Sequence, residues 1–407
     1  MKTDNLVRST KDTPYDWVNI LFLTATPLVA VVGTALLAWH NGVTWLEVFN
    51  FFLFWMLTGM GITAGYHRHF SHRAYDCNKP LQLFYLIFGA AAVQNSALNW
   101  CSDHRYHHRF VDTEEDPYNV LRGGLYAHIL WIFYKDERDV HTRYKNIPDL
   151  LKNPLLVWQD KWYLALVVGV SFVLPTLFGL LDGRYLGHLL WGGFLRIVVV
   201  HHMTFFINSL AHIVGSRPYS LTDTARDNWL LSPFSFGEGY HNFHHKFQAD
   251  YRNGIKWYQF DMTKWWINVC RFFGWVTRVS RTPDPMILKA RLEVEAKLVE
   301  RRLAEAQAPE RMWQKVQWRV AYARERFETA YEQYQLAKIE YRKRKDEWSA
   351  DMRRQWAAQL ESYEAELESA RRRWRDLIRA MHRIPAPTAR GLASFAFVVD
   401  VLKNLRP

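Results

Sequence analysis

Four stretches of the chain are almost wholly apolar, at roughly 18–39, 45–66, 161–181 and 185–214. An α-helix needs about 20 apolar residues to cross a bilayer, so the pattern predicts four transmembrane helices. The first run starts near Val18 and is too long for the apolar centre of a cleaved signal peptide. The loops within each pair of spans are short: His40 to Thr44 carries no Lys or Arg, and the second centres on Asp182-Gly183-Arg184. The other side carries Lys2, Arg8, Lys11, the long 67–160 segment and everything after 215. Nearly all Lys and Arg thus lie on one side, which the positive-inside rule assigns to the cytoplasm together with both termini. A multi-pass protein of a bacterial inner membrane is expected. A fifth apolar stretch, 81–98, is short and broken by Gln82, Gln94 and Asn95, with Asn99 just beyond. It predicts a helix that lies on or dips into the interface and lines a cavity.

Past residue 280 the pattern changes. Pro283 and Pro285 mark a boundary, and Glu310 to Ile384 contains neither Gly nor Pro. There apolar residues recur at three and four, as in Val316, Val320, Ala323, Phe327, Ala330, Tyr334 and Ala337. The phase slips near Arg344–Met352 and resumes at Trp356, Leu360, Tyr363, Leu367, Ala370 and Trp374. One helix of this length would run ~110 Å; the slip beside RKRKDE predicts instead a hairpin of two antiparallel helices. A shorter helix is expected at about 286–307, and the apolar run 391–402 is too short to span. The expected architecture is all-α. It comprises a four-helix membrane domain with a histidine-rich cytoplasmic cap (1–280), a long-helix coiled-coil or hairpin extension (281–390) and a short apolar end (391–407).

Composition alone conceals this division. The mean hydropathy of −0.24 suggests a soluble protein, but it averages two unlike parts. Residues 286–383 hold 23 Lys/Arg against 17 Asp/Glu, which is half of the net charge of +12. The alternating signs describe a solvated helix rather than a purely basic membrane-binding one, and no motif supports nucleic-acid binding. Oligomerisation, docking of an electron donor or contact with anionic lipid are the functional readings of the tail. The three cysteines, Cys77, Cys101 and Cys270, form no C-x-x-C and imply no disulfide framework.

The 17 histidines are the unusual feature. His67 and His72 follow the second span; His104, His107 and His108 form HRYHH; Asn208 and His212 lie late in the fourth span; His241, His244 and His245 form HNFHH. Residues three and four apart share a helix face, so the HxxHH clusters each aim imidazoles at one point. His67 and His72, five apart, are expected to be aligned by a helix end. With four spans, every cluster falls on one membrane face. An isolated histidine at a membrane edge is usually a core residue, and His201 and His202 are read that way. His69 stands off the ligand positions of its own cluster. Nine imidazoles without cysteine at matching spacing argue against a closed structural zinc site and fit two metals, though imidazole does not choose among Fe, Zn, Cu and Ni.

Four stretches, GYHRHFSHRAY, WCSDHRYHHRFVDTEEDPYN, NSLAHIVGSRPY and GEGYHNFHHKFQADYRNG, resemble the membrane fatty acid desaturases, in the branch containing stearoyl-CoA and bacterial Δ9 acyl desaturases. The likeness covers about residues 15–275. It implies two ferrous ions held by His67, His72, His104, His107, His108, His212, His241, His244 and His245, with Asn208 reaching one through water. It also implies a bent, buried acyl tunnel shaped by Gln94, Trp100 and Thr204, with Phe205 where the mammalian enzyme has Trp. Asn95 and Asp103 match residues that contact the acyl carrier's head group. Ser102 replaces an Arg there, Leu121-Arg122 replaces an Arg pair, and Gln248 replaces a Pro after the last box. The carrier is therefore left open among CoA, acyl carrier protein and membrane lipid. The implied reaction makes a cis double bond with O₂, a step that needs a metal cofactor because no side chain breaks an unactivated C–H bond. A separate ferredoxin, rubredoxin or cytochrome b5 donor would supply electrons. Asp103, Glu114, Asp116 and Glu238 are candidates to orient ligand imidazoles. The alternatives are a di-iron membrane hydroxylase and a non-catalytic lipid sensor with a vestigial site.

Overall fold

The structure, a computed structural model, describes residues 13–136, 138, 140–305 and 310–382. Lys2, Arg8 and Lys11 and the apolar 391–407 segment lie outside the described residues. The chain falls into two compact units, one through Thr282 and one from Pro283.

In the first unit, four helices are long and apolar enough to cross a membrane. They are α1 (Trp17–Asn41), α2 (Trp45–Ser71), α5 (Tyr163–Leu180) and α6 (Tyr185–Ile213). Between them lie α3 (Lys79–Ala90) and α4 (Ala97–Phe110), and after them α7 (His241–Lys246) and α8 (Met262–Phe272). Only 22% of the most apolar stretch of α1 is buried against 56% of that of α2. Val18, Leu21, Leu28, Val31 and Leu36 on α1 are exposed, as a lipid-facing helix requires. α2 and α6, with 27 and 29 residues, are ~40 Å long at 1.5 Å per residue. They outreach the ~30 Å hydrocarbon core, and both carry histidines at their projecting ends.

The opposite ends are clasped together. Thr44 and Glu47 form a reciprocal cap on α2: Thr44 N–H donates to Glu47 Oε2 (2.8 Å) and Glu47 N–H to Thr44 Oγ1 (3.3 Å). Arg184, from the other short loop, donates to Glu47 Oε1 (2.9 Å) and to the carbonyls of Asn41 (3.1 Å) and Gly42 (2.7 Å).

α3 has 12 residues, ~18 Å, and cannot cross. The chain then breaks through Val93 and Asn95, both at positive φ (54° and 78°), and restarts at α4 with Ser96 as its cap. The buried Arg196 of α6 donates to the Ala91 carbonyl at the end of α3. The polar break therefore sits against a span, where backbone groups left free by a broken helix need partners. α3 also lies close on α2: a side chain on Gly61 would collide with the Phe88 and Gly89 backbone. The all-α expectation gains one small exception, an antiparallel ribbon of β1 (Tyr75–Cys77) and β2 (Val276–Val279) that pairs Tyr75 with Val279.

The second unit holds α9 (Asp284–Glu305), α10 (Glu310–Arg344) and α11 (Ala350–His382). The hairpin alternative is the one adopted, and it turns at the phase slip, where Trp348 is buried and stacks on Trp356 with centroids 5.0 Å apart. The core combines Leu292, Ala296 and Val299 with Val316, Val320 and Phe327, and with Leu367, Trp374 and Ile378. It is a three-helix unit, because α9 covers the hairpin's remaining apolar stripe.

Candidate metal centre

α2 begins as a regular α-helix and continues from Gly61 to Ser71 as a π-helix. In that winding, bonds run from i+5 to i, and His72 N–H donates to the His67 carbonyl (3.1 Å). His67 and His72 thereby stack on one face. The alignment expected from a helix end comes instead from a wider helix. α4 supplies His104 and His108 on one edge and His107 on the next, while α7 supplies His241, His244 and His245. α6 bends at Ser209 and re-forms one turn that carries His212.

These elements gather all nine histidines into two groups. His67, His72, His104, His108 and His244 form one; His107, His212, His241 and His245 form the other. Within each group the ligand nitrogens lie within 4.8 Å of one another. Nε2 atoms face each other at 2.8 Å (His72–His104), 3.0 Å (His67–His244, His108–His244 and His241–His245) and 3.3 Å (His107–His245). The groups touch, with the His108 and His245 rings stacked at 4.4 Å.

The surroundings test whether a cation fits. Glu238 Oε2 lies 2.9 Å from His67 Nδ1 and Asp116 Oδ1 2.9 Å from His107 Nδ1. A carboxylate so placed favours the tautomer with the proton on Nδ1, which leaves Nε2 a bare lone pair. His212 Nδ1 meets Thr224 Oγ1 at 2.8 Å, and His212 Nε2 is buried with no hydrogen-bond partner among the described residues. Burial, and then the neighbouring imidazoles, hold the pKa of His72, His104, His108, His241, His244 and His245 well below the ordinary value. Convergent neutral lone pairs repel unless a cation sits between them. Nitrogens at right angles around a metal, each at about 2.1 Å, stand about 3.0 Å apart, in line with these spacings. The residues fit a pair of metal ions.

Of the acids expected to orient the rings, Asp116 and Glu238 do so. Glu114 is exposed, and Asp103 forms an ion pair with Arg138 instead. Sequence reasoning missed Arg68, Asp112, Tyr118 and Thr224. Arg68 is 1% exposed and donates to Glu238 Oε1 (2.9 Å) and Asp261 Oδ2 (3.1 Å). Burial alone would raise the pKa of Glu238, but Arg68 and His67 bring it below the ordinary value. Asp112 accepts from the Thr224 hydroxyl (2.7 Å) and so sets the group on which His212 rests. Tyr118 OH lies 3.5 Å from His104 Nδ1. Of these, Arg68, Asp112 and Tyr118 stand within the stretches that carry the family resemblance, and Thr224 lies outside them.

The sequence pattern of the fatty acid desaturase family matches residues 44–279, which include all nine histidines. Over 288 residues the chain is 38% identical to a probable acyl-CoA desaturase of Schizosaccharomyces pombe, covering 70% of this chain and 59% of that one. Acyl-CoA desaturase 1 of Saccharomyces cerevisiae is 40% identical over 284 residues, 68% and 56% of the two chains. The sn-2 palmitoyl-lipid 9-desaturase of Nostoc is 33% identical over 270 residues, 66% and 91%. The chain belongs to the fatty acid desaturase family. It spans less than three fifths of the length of the two yeast relatives.

The positions that the family resemblance assigned to substrate are partly gathered. Trp100 Nε1 donates to Gln94 Oε1 (3.3 Å), and Gln94 Nε2 donates to Thr204 Oγ1 (3.0 Å). Trp100 also stacks on His104 at 4.9 Å, which joins this trio to the five-histidine group. Phe205 is buried beside His128 and His201. His201 bonds to the Ala92 carbonyl (2.8 Å) and His202 to His128 (3.1 Å), so neither joins a metal group. His69 likewise turns away, to the Tyr75 carbonyl (2.9 Å). Asn95 gives its backbone N–H to Tyr163 OH (3.0 Å). Arg122 is tied to Tyr126 by a 2.7 Å bond and lies 4.1 Å over its ring. Asn208 ends the straight part of α6, one turn before His212, half-buried.

Proposed function

We propose that the chain is an acyl desaturase that places a cis double bond, Δ9 by family resemblance, in a saturated fatty acyl chain with O₂ as oxidant. The observation that carries this reading is the pair of adjoining groups of five and four buried or half-buried imidazoles. Iron suits them better than zinc for this reaction, because zinc has no redox chemistry. When bound, the metal pair would supply the oxidising power to remove one hydrogen from each of two adjacent methylenes. Ligands would be the nine histidines, with Asn208 acting through water. Glu238 and Asp116 keep the proton on Nδ1 and so present Nε2. Trp100, Gln94 and Thr204 form a wall beside His104, which would hold one C–C bond of the chain next to the metals and exclude other orientations.

Acyl-CoA is the proposed carrier, supported by the names of the two yeast relatives. Arg138 places a cation on Asp103, beside Ser102. In this reading, Asp103 and Arg138, with Asn95 and Arg122, take the head group. The electron donor is a separate ferredoxin, rubredoxin or cytochrome b5. The histidine side faces the cytoplasm of a bacterial inner membrane, as the distribution of Lys and Arg supports.

Gas chromatography–mass spectrometry of fatty acids from cells expressing the chain, with iron analysis of the purified protein, tests this. The expected result is a new cis monoene, two irons per chain, and loss of the product in His104→Ala. A hydroxylated product, or no product despite two irons and a competent donor, would overturn it.

A further inference from the structure

α9 covers one flank of the tail hairpin. Its Lys289 pairs with Glu328 of α10 (2.6 Å), and Leu292, Ala296 and Val299 pack in one cluster with Phe327 of α10 and Ile378 of α11. On the other flank a cleft of about 770 Å³ runs between α10 and α11. Ala323, Ala330, Ala370 and Leu377 line it, and three of these four side chains are too small to close the gap. Trp318 and Tyr322 form one wall; their rings stack at 5.4 Å and are 59% and 37% exposed. The rim is of mixed sign, with Arg326 and Arg373 against Glu366 and Asp376. Such a rim does not select a strongly charged ligand, whereas the apolar floor and the aromatic wall gain by being covered. Among the described residues of this unit, no third helix lies along this flank as α9 does along the first.

The chain itself supplies a segment that fits. α11 ends at His382, next to the Leu377 end of the cleft. Residues 383–390, with Pro385 and Pro387, lead to the apolar run 391–402. A connection of eight residues is ordinary between antiparallel helices, and fully extended it reaches ~28 Å, beyond the far end of the cleft. Glu366 to Leu377 spans twelve positions of α11, and Gly391 to Leu402 is also twelve, ~17 Å for either as a helix. Leu392, Phe395, Val399 and Leu402 recur at three and four, so a helix would align them on one stripe. Laid antiparallel to α11, with Gly391 level with Leu377, the segment brings Lys403 to the Glu366 end of the rim. We propose that residues 391–402 fold back into this cleft and complete a four-helix bundle. A short tether gives the segment a local concentration in the millimolar range, which favours it over a second copy of the chain as the occupant.

Hydroxyl-radical footprinting of the full chain, read by mass spectrometry, tests this without turnover, so the outcome does not depend on the desaturase reading. In nanodiscs of neutral lipid, Trp318 and Tyr322 of the wild type should be oxidised about fivefold more slowly than in Phe395→Asp/Val399→Asp. Met352, exposed near the hairpin turn and away from the cleft, should be oxidised equally in both. The protection should be the same at about 1 μM and 50 μM protein. The reciprocal variant Thr329→Arg/Ser369→Arg, which alters two cleft-lining side chains outside the apolar core, should speed oxidation of Phe395 and Phe397 by a similar factor while circular dichroism keeps the wild-type helical signal. Equal oxidation of Trp318 and Tyr322 in the wild type and in Phe395→Asp/Val399→Asp would overturn the proposal. Protection that disappears on dilution would also overturn it and make a second copy the occupant. So would protection of Phe395 and Phe397 that survives Thr329→Arg/Ser369→Arg but is lost when lipid is replaced by detergent, which would place the segment in the bilayer surface.

Discussion

The two units use charge in opposite ways. In the first, Arg68, Glu238 and Asp261 are each at most 2% exposed and hold one another 2.9–3.1 Å apart within reach of the histidines. In the second, ion pairs such as Arg344–Glu340 and Arg371–Glu368 lie three or four residues apart on exposed helix faces. A buried charge is costly unless every partner is present, so a buried set persists where geometry must be exact to fractions of an ångström. Exposed pairs contribute little to stability, and they mainly solvate helices whose apolar stripes face inward. The core of the second unit is accordingly apolar, centred on Trp374, which is fully buried against Phe327 at 5.4 Å. Polar burial marks the site; apolar burial marks the scaffold.

Substitutions sharpen this contrast. The largest effect is expected from Glu238→Ala, which removes one of the two carboxylates that hold buried Arg68 and frees His67 Nδ1. Breaking a buried pair costs about 3–5 kcal/mol, and loss of a partner that orients a ligand lowers metal affinity about 10- to 100-fold. Thermal unfolding in detergent and metal titration read the two effects, and stability loss without loss of affinity would refute the orienting role. Trp374→Ala should cost about 3–5 kcal/mol through the cavity it leaves, read as loss of the second unit's helical signal on denaturation. Metal content should stay at the wild-type level.

A pH effect follows at Asp227, whose side chain accepts from Phe243 N–H at the start of α7 (3.0 Å). Burial pushes its pKa up to about 7 despite that bond. A carboxyl raised above its unfolded value of about 3.9 stabilises the fold fully below that value and loses the contribution as pH climbs towards 7. The melting temperature of Asp227→Asn should therefore fall less between pH 5 and pH 8 than that of the wild type; parallel curves would count against this. The smallest change is expected for Arg344→Ala, about 0.3–0.5 kcal/mol, within the error of most melts.

Much of the first unit was legible because its signals are local. The four spans rest on runs of apolar residues, and observed limits such as Trp17–Asn41 and Tyr185–Ile213 differ by at most a few residues from the hydropathy reading. The brevity of α3 was also legible, from Gln94 and Asn95 at its break. HRYHH and HNFHH declared themselves through helical spacing. The winding of α2 did not, because no short pattern separates a π-turn from an α-turn when packing against α3 helps to decide it.

By itself the sequence determined that four apolar, span-length helices precede a charged helical unit, that nine histidines fall in clusters, and which family the chain belongs to. Periodicity, hydrophobic length and local motif spacing carry that information. Only the tertiary structure decided how the histidines divide into five and four, for His244 leaves its neighbours on α7 to join His67, 177 residues earlier. It also decided that Glu238 is the partner of Arg68 at a separation of 170 residues, and that His72 and His108 reach the surface. Such pairings depend on how distant segments pack, and burial gives them strength only once the chain has closed around them.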